Sequence, residues 1–188
     1  RDIGNGYDGW AVNSHSSRFG IKGSEDLGNG LSAVFQMEFG IAGDDLGNVS
    51  NNRNTYVALA GSWGVAGIGQ VDTPYKSSTG SLELFGDSIG DYNQLGFDDI
   101  RANDAVFYMS PNWNGFSFVG AVILPSASVN SDGVEATSIA AKYENGPFFA
   151  SLAHESVTED WMVDLDPLDD ANFANVTPTD GYDKWRLV

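Results

Sequence analysis

Acidic side chains are the most concentrated candidates for chemistry in this sequence. Seven acids and no base lie from residue 158 to residue 180, and this density of carboxylates could hold Ca²⁺ or Mg²⁺. Their spacing lacks the glycine and the distal glutamate of an EF-hand loop. We therefore expect a solvated loop that attracts cations without a defined site. Four of its residues remain metal candidates: Asp164, Asp166, Asp169 and Asp170.

Catalytic chemistry has few other candidates. The absence of cysteine excludes thiol nucleophiles, thiolate metal sites and disulfides. The two histidines, His15 and His154, share no local motif. Acids are abundant enough for the paired carboxylates of a glycosidase, but no nucleophile motif or metal-ligand spacing accompanies them. We expect no enzyme, and no cofactor beyond Ca²⁺ or Mg²⁺ at the acidic loops.

Net charge and hydropathy argue against a nucleic-acid partner and against membrane-spanning helices. The 188 residues carry 9 Lys and Arg against 26 Asp and Glu, a net charge of −17 that disfavours nucleic acid. The longest nearly apolar run is the ten residues 115–124. A membrane-spanning helix needs about 20, so transmembrane helices are excluded.

The secondary structure should be almost entirely β. Short runs rich in Phe, Tyr, Val and Ala alternate with clusters of Gly, Asn, Asp and Ser, which is typical of strands and turns. The cleanest alternation is at 31–39, where Leu31, Phe35 and Met37 lie on the apolar face. Nine strands are predicted: 16–23, 31–39, 53–60, 65–71, 104–110, 116–124, 136–143, 148–154 and 183–188.

The connections between these strands alternate between short and long. All four short links contain a central glycine typical of hairpin turns: 27–30, 61–64, 112–115 and 144–147. Tight turns at one rim and long loops at the other are the layout of an outer-membrane barrel. A β-sandwich or jelly roll is the alternative, although its Greek-key connections should break this rhythm. The pattern favours the barrel and leaves the sandwich open.

Three segments resemble the general porins of Gram-negative outer membranes. Residues 17–31 (SRFGIKGSEDLGNGL) carry the most specific motif, and residues 53–59 and 101–111 continue it in the family's order. The resemblance implies a sixteen-stranded transmembrane barrel of the bacterial outer membrane, assembled as a homotrimer. It also implies passive passage of small hydrophilic solutes and ions. Residues 1–188 would then form one partial barrel domain, with a constriction loop at 72–102 and an acidic external loop at 158–180.

The same resemblance implies the residues of a charged constriction. Arg18, Arg53 and Arg101 match the family's arginine ladder, and the acids of the inward-folded third loop should face them. Glu83 is the first choice for that acid and Asp87 the second. The arginines could instead be solvated strand residues or rim ion pairs. Further lumen candidates are Lys22, Gln70 and Lys76.

Two further expectations complete the interpretation. Cations held by the acidic loop could bridge it to lipopolysaccharide phosphates, which would make lipopolysaccharide and outer-membrane lipid partners. The net charge predicts a preference for cations, although the charges that line the lumen determine the ion selectivity. The competing function is that of a soluble carbohydrate-binding or adhesive β-sandwich module. Its aromatic side chains and acidic loops would bind sugars and calcium.

Overall fold

One antiparallel sheet makes up most of the chain that the structure describes. The computed structural model describes residues 16–41, 49–50, 53–87, 99–125, 133–158 and 181–188. None of the helical residues in these ranges forms a segment with the length and hydropathy needed to cross a membrane. The strands are β1 (Arg18–Gly28), β2 (Leu31–Ile41), β3 (Val49–Ser50), β4 (Thr55–Gly61), β5 (Gly64–Asp72), β6 (Arg101–Met109), β7 (Phe116–Ile123), β8 (Ala136–Asn145), β9 (Phe148–Val157) and β10 (Tyr182–Leu187).

The strands pair in chain order. The sheet runs β1-β2-β4-β5-β6-β7-β8-β9-β10, and the two-residue β3 pairs only with β2. All nine predicted strands are present, and β3 is an addition. β1 runs five residues further than predicted, because Ser24, Glu25 and Asp26 continue the ladder with β2. β4 starts at Thr55, so Arg53 precedes the strand rather than opening it.

The tight turns lie where the glycines predict them. β1 and β2 are joined at Asn29 and Gly30, whose φ angles of 54° and 75° fit the left-handed region that such turns require. Gly61 and Gly64 bracket the β4–β5 turn, and Gly146 lies in the β8–β9 turn. Short links therefore lie at one end of the sheet, the turn end. The long links lie at the other end, the loop end.

One face of the sheet exposes large apolar side chains along its whole width. Phe35, Val57, Ile68, Val106 and Val122 are successive cross-strand partners from β2 to β7, and each is more than one-third exposed. We call this the outer face. In the described residues no second sheet covers it, which argues against a sandwich. Other strongly exposed apolar members of this face are Phe19, Ile21, Phe116, Ile139, Phe148, Leu152, Trp185 and Leu187.

The opposite, inner face carries small, polar and charged side chains together with an apolar patch on β4 to β7, and the chain between β5 and β6 lies over it. A 3₁₀ segment, Lys76–Leu82, lies against β8 and β9 with a kink at Gly80. The Tyr75 N–H donates to Ser138 Oγ at 3.0 Å, and Ser151 Oγ donates to Ser78 O at 2.7 Å. These contacts fix residues 73–82, which we call the loop root. The exposed residues 83–87 that follow are the loop tip.

Candidate functional site

Three arginines lie at the loop end of the sheet. Arg18 opens β1, Arg53 precedes β4 and Arg101 opens β6. Each has a carboxylate partner in an ion pair. The three pairs differ in where the acid comes from, and this difference decides what each pair can do.

Arg18 pairs with the loop tip. Its Nη2 lies 2.6 Å from Asp87 Oδ2, and the two side chains are 42% and 44% exposed. Partial burial raises the pKa of the Asp87 carboxyl. The hydrogen bond and charge of Arg18 outweigh this, so the pKa lies below its ordinary value. The carboxylate is therefore charged at neutral pH and extends the loop's negative charge toward the wall.

Arg53 pairs along the wall instead. Its Nε donates to Glu38 on β2, and Gln36 Nε2 donates to the same carboxylate at 3.4 Å. Sequence reasoning missed Glu38 as a site residue. The signal that could have found it is the alternation of β2, which places Glu38 on the polar face with Ser32 and Gln36.

Arg101 belongs to a larger cluster. Arg101 and Asp72 are cross-strand partners with Nη2 and Oδ1 2.9 Å apart, and Lys76 Nζ lies 3.2 Å from the same oxygen. Asn54 joins them, because its amide donates to Asp72 Oδ2 at 2.9 Å and its oxygen accepts from Arg101 Nε at 3.1 Å. Lys76 was among the predicted candidates, whereas Asp72 and Asn54 were not.

The other candidates are spread along the same end. Lys22 is exposed on the inner face of β1, four residues along the strand from Arg18. Glu83 is exposed in the loop tip, and its backbone N–H donates to Gly80 O at 3.4 Å. The position of Gln70 differs from the prediction that it lines the lumen. It pairs with Thr55, the partner of Met37, so the register places it on the outer face and not in the lumen.

A second basic group, on β10, holds the loop root. Arg186 lies 4.0 Å from the centre of the Tyr75 ring, donates to Tyr75 O at 3.0 Å and pairs with Asp99 at 2.8 Å. Lys184 lies 4.5 Å from the same ring and 3.0 Å from Glu155 Oε1. Burial raises the pKa of the Asp99 carboxyl above its ordinary value despite Arg186. Sequence reasoning missed this group.

The metal ligands predicted from the sequence lie beyond the described part of the chain. In the ranges that the structure describes, no three His, Asp or Glu residues come together as a metal site. The candidates Asp164, Asp166, Asp169 and Asp170, like the rest of the acidic stretch after Thr158, lie outside those ranges. His15 does too, whereas His154 lies on the outer face against Trp185 and 3.5 Å from Asp183.

Comparison with known proteins decides the family. A family model described as Gram-negative porin matches residues 2–180. The chain belongs to this family. Among similar proteins, outer membrane porin protein 32 of Delftia acidovorans is 35% identical over 153 residues, covering 73% of this chain and 43% of the relative. The major outer membrane protein P.IB of Neisseria gonorrhoeae is 32% identical over 152 residues, covering 77% and 42%.

Solved structures agree on the fold. The anion-selective porin from Comamonas acidovorans matches with a TM-score of 0.65 and 30% identity, over 77% of this chain and 48% of that one. A loop-deletion mutant of the outer membrane protein OmpT of Vibrio cholerae matches with a TM-score of 0.58 at 17% identity. The predicted family and antiparallel porin-barrel fold are confirmed. The chain spans less than half the length of these relatives.

Proposed function

We propose that the complete protein is a diffusion pore of the bacterial outer membrane that passes small hydrophilic solutes and ions. One observation carries the proposal, namely the difference between the two faces of the sheet. A continuous row of Phe, Val and Ile side chains crosses the outer face, where hydrocarbon would cover it. The described residues include every Lys and Arg except Arg1, and all eight lie on the inner face or in the loop over it.

The constriction would act through fixed charge, without bond chemistry. Arg18 stands on the wall and Asp87 on the loop, and their contact ion pair, 2.6 Å long, places a charge of each sign at the edge of the passage. Opposed charges around a narrow aqueous gap set up a transverse field that orders water. An apolar solute must disrupt that water and gains nothing from the field, whereas a polar solute reorients in it. We therefore expect hydrophilic solutes to pass more readily.

Charge selectivity should depend on the group formed by the three arginine pairs, Lys22, Lys76 and the loop tip. Among the described residues this group holds five cations and four carboxylates, so no sign dominates it. Replacing one charged residue of this group should then shift the preference between anions and cations measurably, although the net charge of the whole sequence is −17. The cations are Arg18, Lys22, Arg53, Lys76 and Arg101, and the carboxylates are Glu38, Asp72, Glu83 and Asp87.

Assembly and lipid contacts are proposed on family membership. The complete protein would close a sixteen-stranded barrel and assemble as a homotrimer. Its acidic loop at 158–180 would meet lipopolysaccharide phosphates through divalent cations. Porins are not enzymes, and we propose no catalytic activity. The soluble sugar-binding module is disfavoured because its apolar strand faces should pack against a second sheet.

Planar-bilayer recording of the complete protein tests the pore. We expect stepwise conductance in three linked increments, with hydrophilic solutes partitioning into the channel. A detergent-free, monomeric protein with native spectra and no conductance at any voltage would refute the proposal. A heat-modifiable band on an unheated gel reports the trimer independently of conductance. Conductance in unlinked single steps would therefore reject the trimer and retain the pore.

A further inference from the structure

A cavity of about 710 Å³ lies on the inner face between the loop root and the turn end of the sheet. Much of its lining is apolar, which is unusual for the wall of an aqueous pore. Val65, Met109 and Val119 are successive cross-strand partners on β5, β6 and β7, and all three line it. Val34 and Tyr56 extend the same surface toward β2 and β4.

The aromatic part of this lining is fixed in place. Phe107 and Tyr56 meet edge to face with ring centroids 5.5 Å apart. A Cβ at Gly67 would lie 2.6 Å from the Phe107 ring, so the ring occupies space that only a glycine leaves. Phe107 is 8% exposed and is packed with Ala58 and Ala121. The rings therefore form a rigid apolar wall that needs no rearrangement to receive a solute.

One cation lies at the edge of this wall. Lys142 lines the cavity and is two residues along β8 from Ala140, the cross-strand partner of Val119. Two residues of strand span about 6.6 Å, within the length of a small organic acid. Lys142 Nζ donates to Ser77 O and lies 3.4 Å from Ser77 Oγ. In the described residues no carboxylate lies within ion-pair distance of it, although Glu144, two residues along β8, interacts with it electrostatically, and an ammonium has three protons to donate.

The carboxylate on the other side of the cavity is compensated by ion pairs. Asp72 also lines it, but Arg101 and Lys76 both pair with this carboxylate. The charged residues that line the cavity are therefore Lys142 and Asp72, and only Asp72 has its charge compensated by ion pairs. An anion entering the cavity finds attraction at Lys142, while a cation finds Asp72 already neutralised.

We propose that this cavity is a subsite for small organic monoanions with an apolar body. The carboxylate would accept from Lys142, and the apolar body would lie on the wall formed by Val65, Phe107 and Val119. The inference rests on the proposed pore in one respect, because the cavity would then lie on the solute's path. Binding itself requires only the inner face.

Benzoate, acetate and benzylammonium separate the two parts of the subsite. The complete protein in detergent is titrated with each probe by ligand-observed NMR. The same probes are then tested for block of single-channel current. Benzoate should bind about tenfold more tightly than acetate, since only benzoate covers the apolar wall. Benzylammonium, which carries the same ring with the opposite charge, should bind more weakly than benzoate.

Matched variants assign the effect to residues. Lys142→Gln should weaken benzoate about fivefold, and Lys142→Arg should keep most of the affinity because it keeps the charge. Val119→Thr should weaken benzoate about threefold. Val122→Thr is its control, with the same change on the same strand but on the outer face, and should leave benzoate binding unchanged.

The outcomes separate the subsite from the pore. Equal affinity for benzoate and acetate, or equal effects of Val119→Thr and Val122→Thr, would overturn the apolar wall. Benzylammonium binding as tightly as benzoate would overturn the role of Lys142. Benzoate binding with this variant pattern but without conductance would support the subsite and reject the pore. Conductance without any preference for benzoate would retain the pore and overturn the subsite.

Discussion

The arginines at the loop end and the basic residues of β10 differ in how deeply their ion pairs are buried. Arg18 and Asp87 are 42% and 44% exposed, whereas Arg186 and Asp99 are 7% and 3% exposed. Exposed pairs contribute about 0 to 1 kcal/mol to stability, because water screens them and holding two long side chains costs entropy. A buried pair that loses one partner leaves an uncompensated charge. The exposed pair is therefore suited to acting on passing solutes, and the buried pair to holding the loop root.

The largest expected effect is at Arg186. Arg186→Met leaves Asp99 buried without its partner, and we expect the free energy of unfolding of the complete protein to fall by about 3 to 5 kcal/mol. Urea unfolding in detergent measures it. Arg18→Met is the matched control at the exposed pair and should cost less than about 1 kcal/mol. Equal losses from the two variants would contradict the assignment of structural and functional pairs.

Tyr75 should give the next largest effect. Tyr75→Ala removes a buried ring that lies against both Arg186 and Lys184, so we expect a loss of about 3 kcal/mol and a loosened loop root. Single-channel recording should show higher conductance and more current noise. Tyr75→Phe keeps the ring and should keep wild-type currents. Unchanged currents in the alanine variant would mean that the root does not set the width of the pore.

Asp87 should change selectivity with little effect on stability. Asp87→Asn removes one of the four carboxylates in the described arginine pairs and loop tip, so the reversal potential should move toward anion preference. In the wild-type protein, lowering the pH should move the reversal potential in the same direction. The folded pKa is lowered, so the charge persists above that pKa and is lost as pH falls through it, together with the pair's small contribution to stability. The variant should lack this acid-dependent step. A wild-type step that the variant retains would exclude Asp87 as its source.

Glu83→Ala should make the smallest change. Glu83 is exposed in the loop tip, and we expect a shift toward anions in the same direction as that of Asp87→Asn but smaller. Reversal potentials of the two variants, measured under one salt gradient, compare them directly. A larger shift from Glu83→Ala would restore it as the principal acid of the constriction.

Local sequence features predicted the strands and turns. Alternation along 31–39 and the glycines of the tight turns depend only on neighbouring residues. The face of Gln70 could not be predicted, because both faces of β5 carry small or apolar side chains and a register shift lies between Gly69 and Val71. Alternation assigns faces only where the two faces differ chemically.

Partners of the charged residues could be predicted only in part. Asp87 is 69 residues from Arg18, and sequence reasoning placed it second because a family motif supplied the loop. Arg186 is 111 residues from Tyr75, and no local pattern joins a strand residue to a loop over such a separation. Glu38 was within reach of sequence reasoning, since β2 alternates cleanly and places it on the polar face.

Thiol labelling along β7 tests the central claim most directly, namely that the outer face meets lipid and the inner face meets water. The 188 residues contain no cysteine, so single cysteines can be placed at Ser117, Phe118, Val119 and Val122 of the complete protein, with any cysteine outside these residues replaced by serine. In outer membranes, a hydrophilic, membrane-impermeant reagent should label positions 117 and 119 and spare 118 and 122, which a lipophilic maleimide should reach. Hydrophilic labelling of 118 and 122, or labelling without alternation, would contradict a water-filled pore bounded by this sheet.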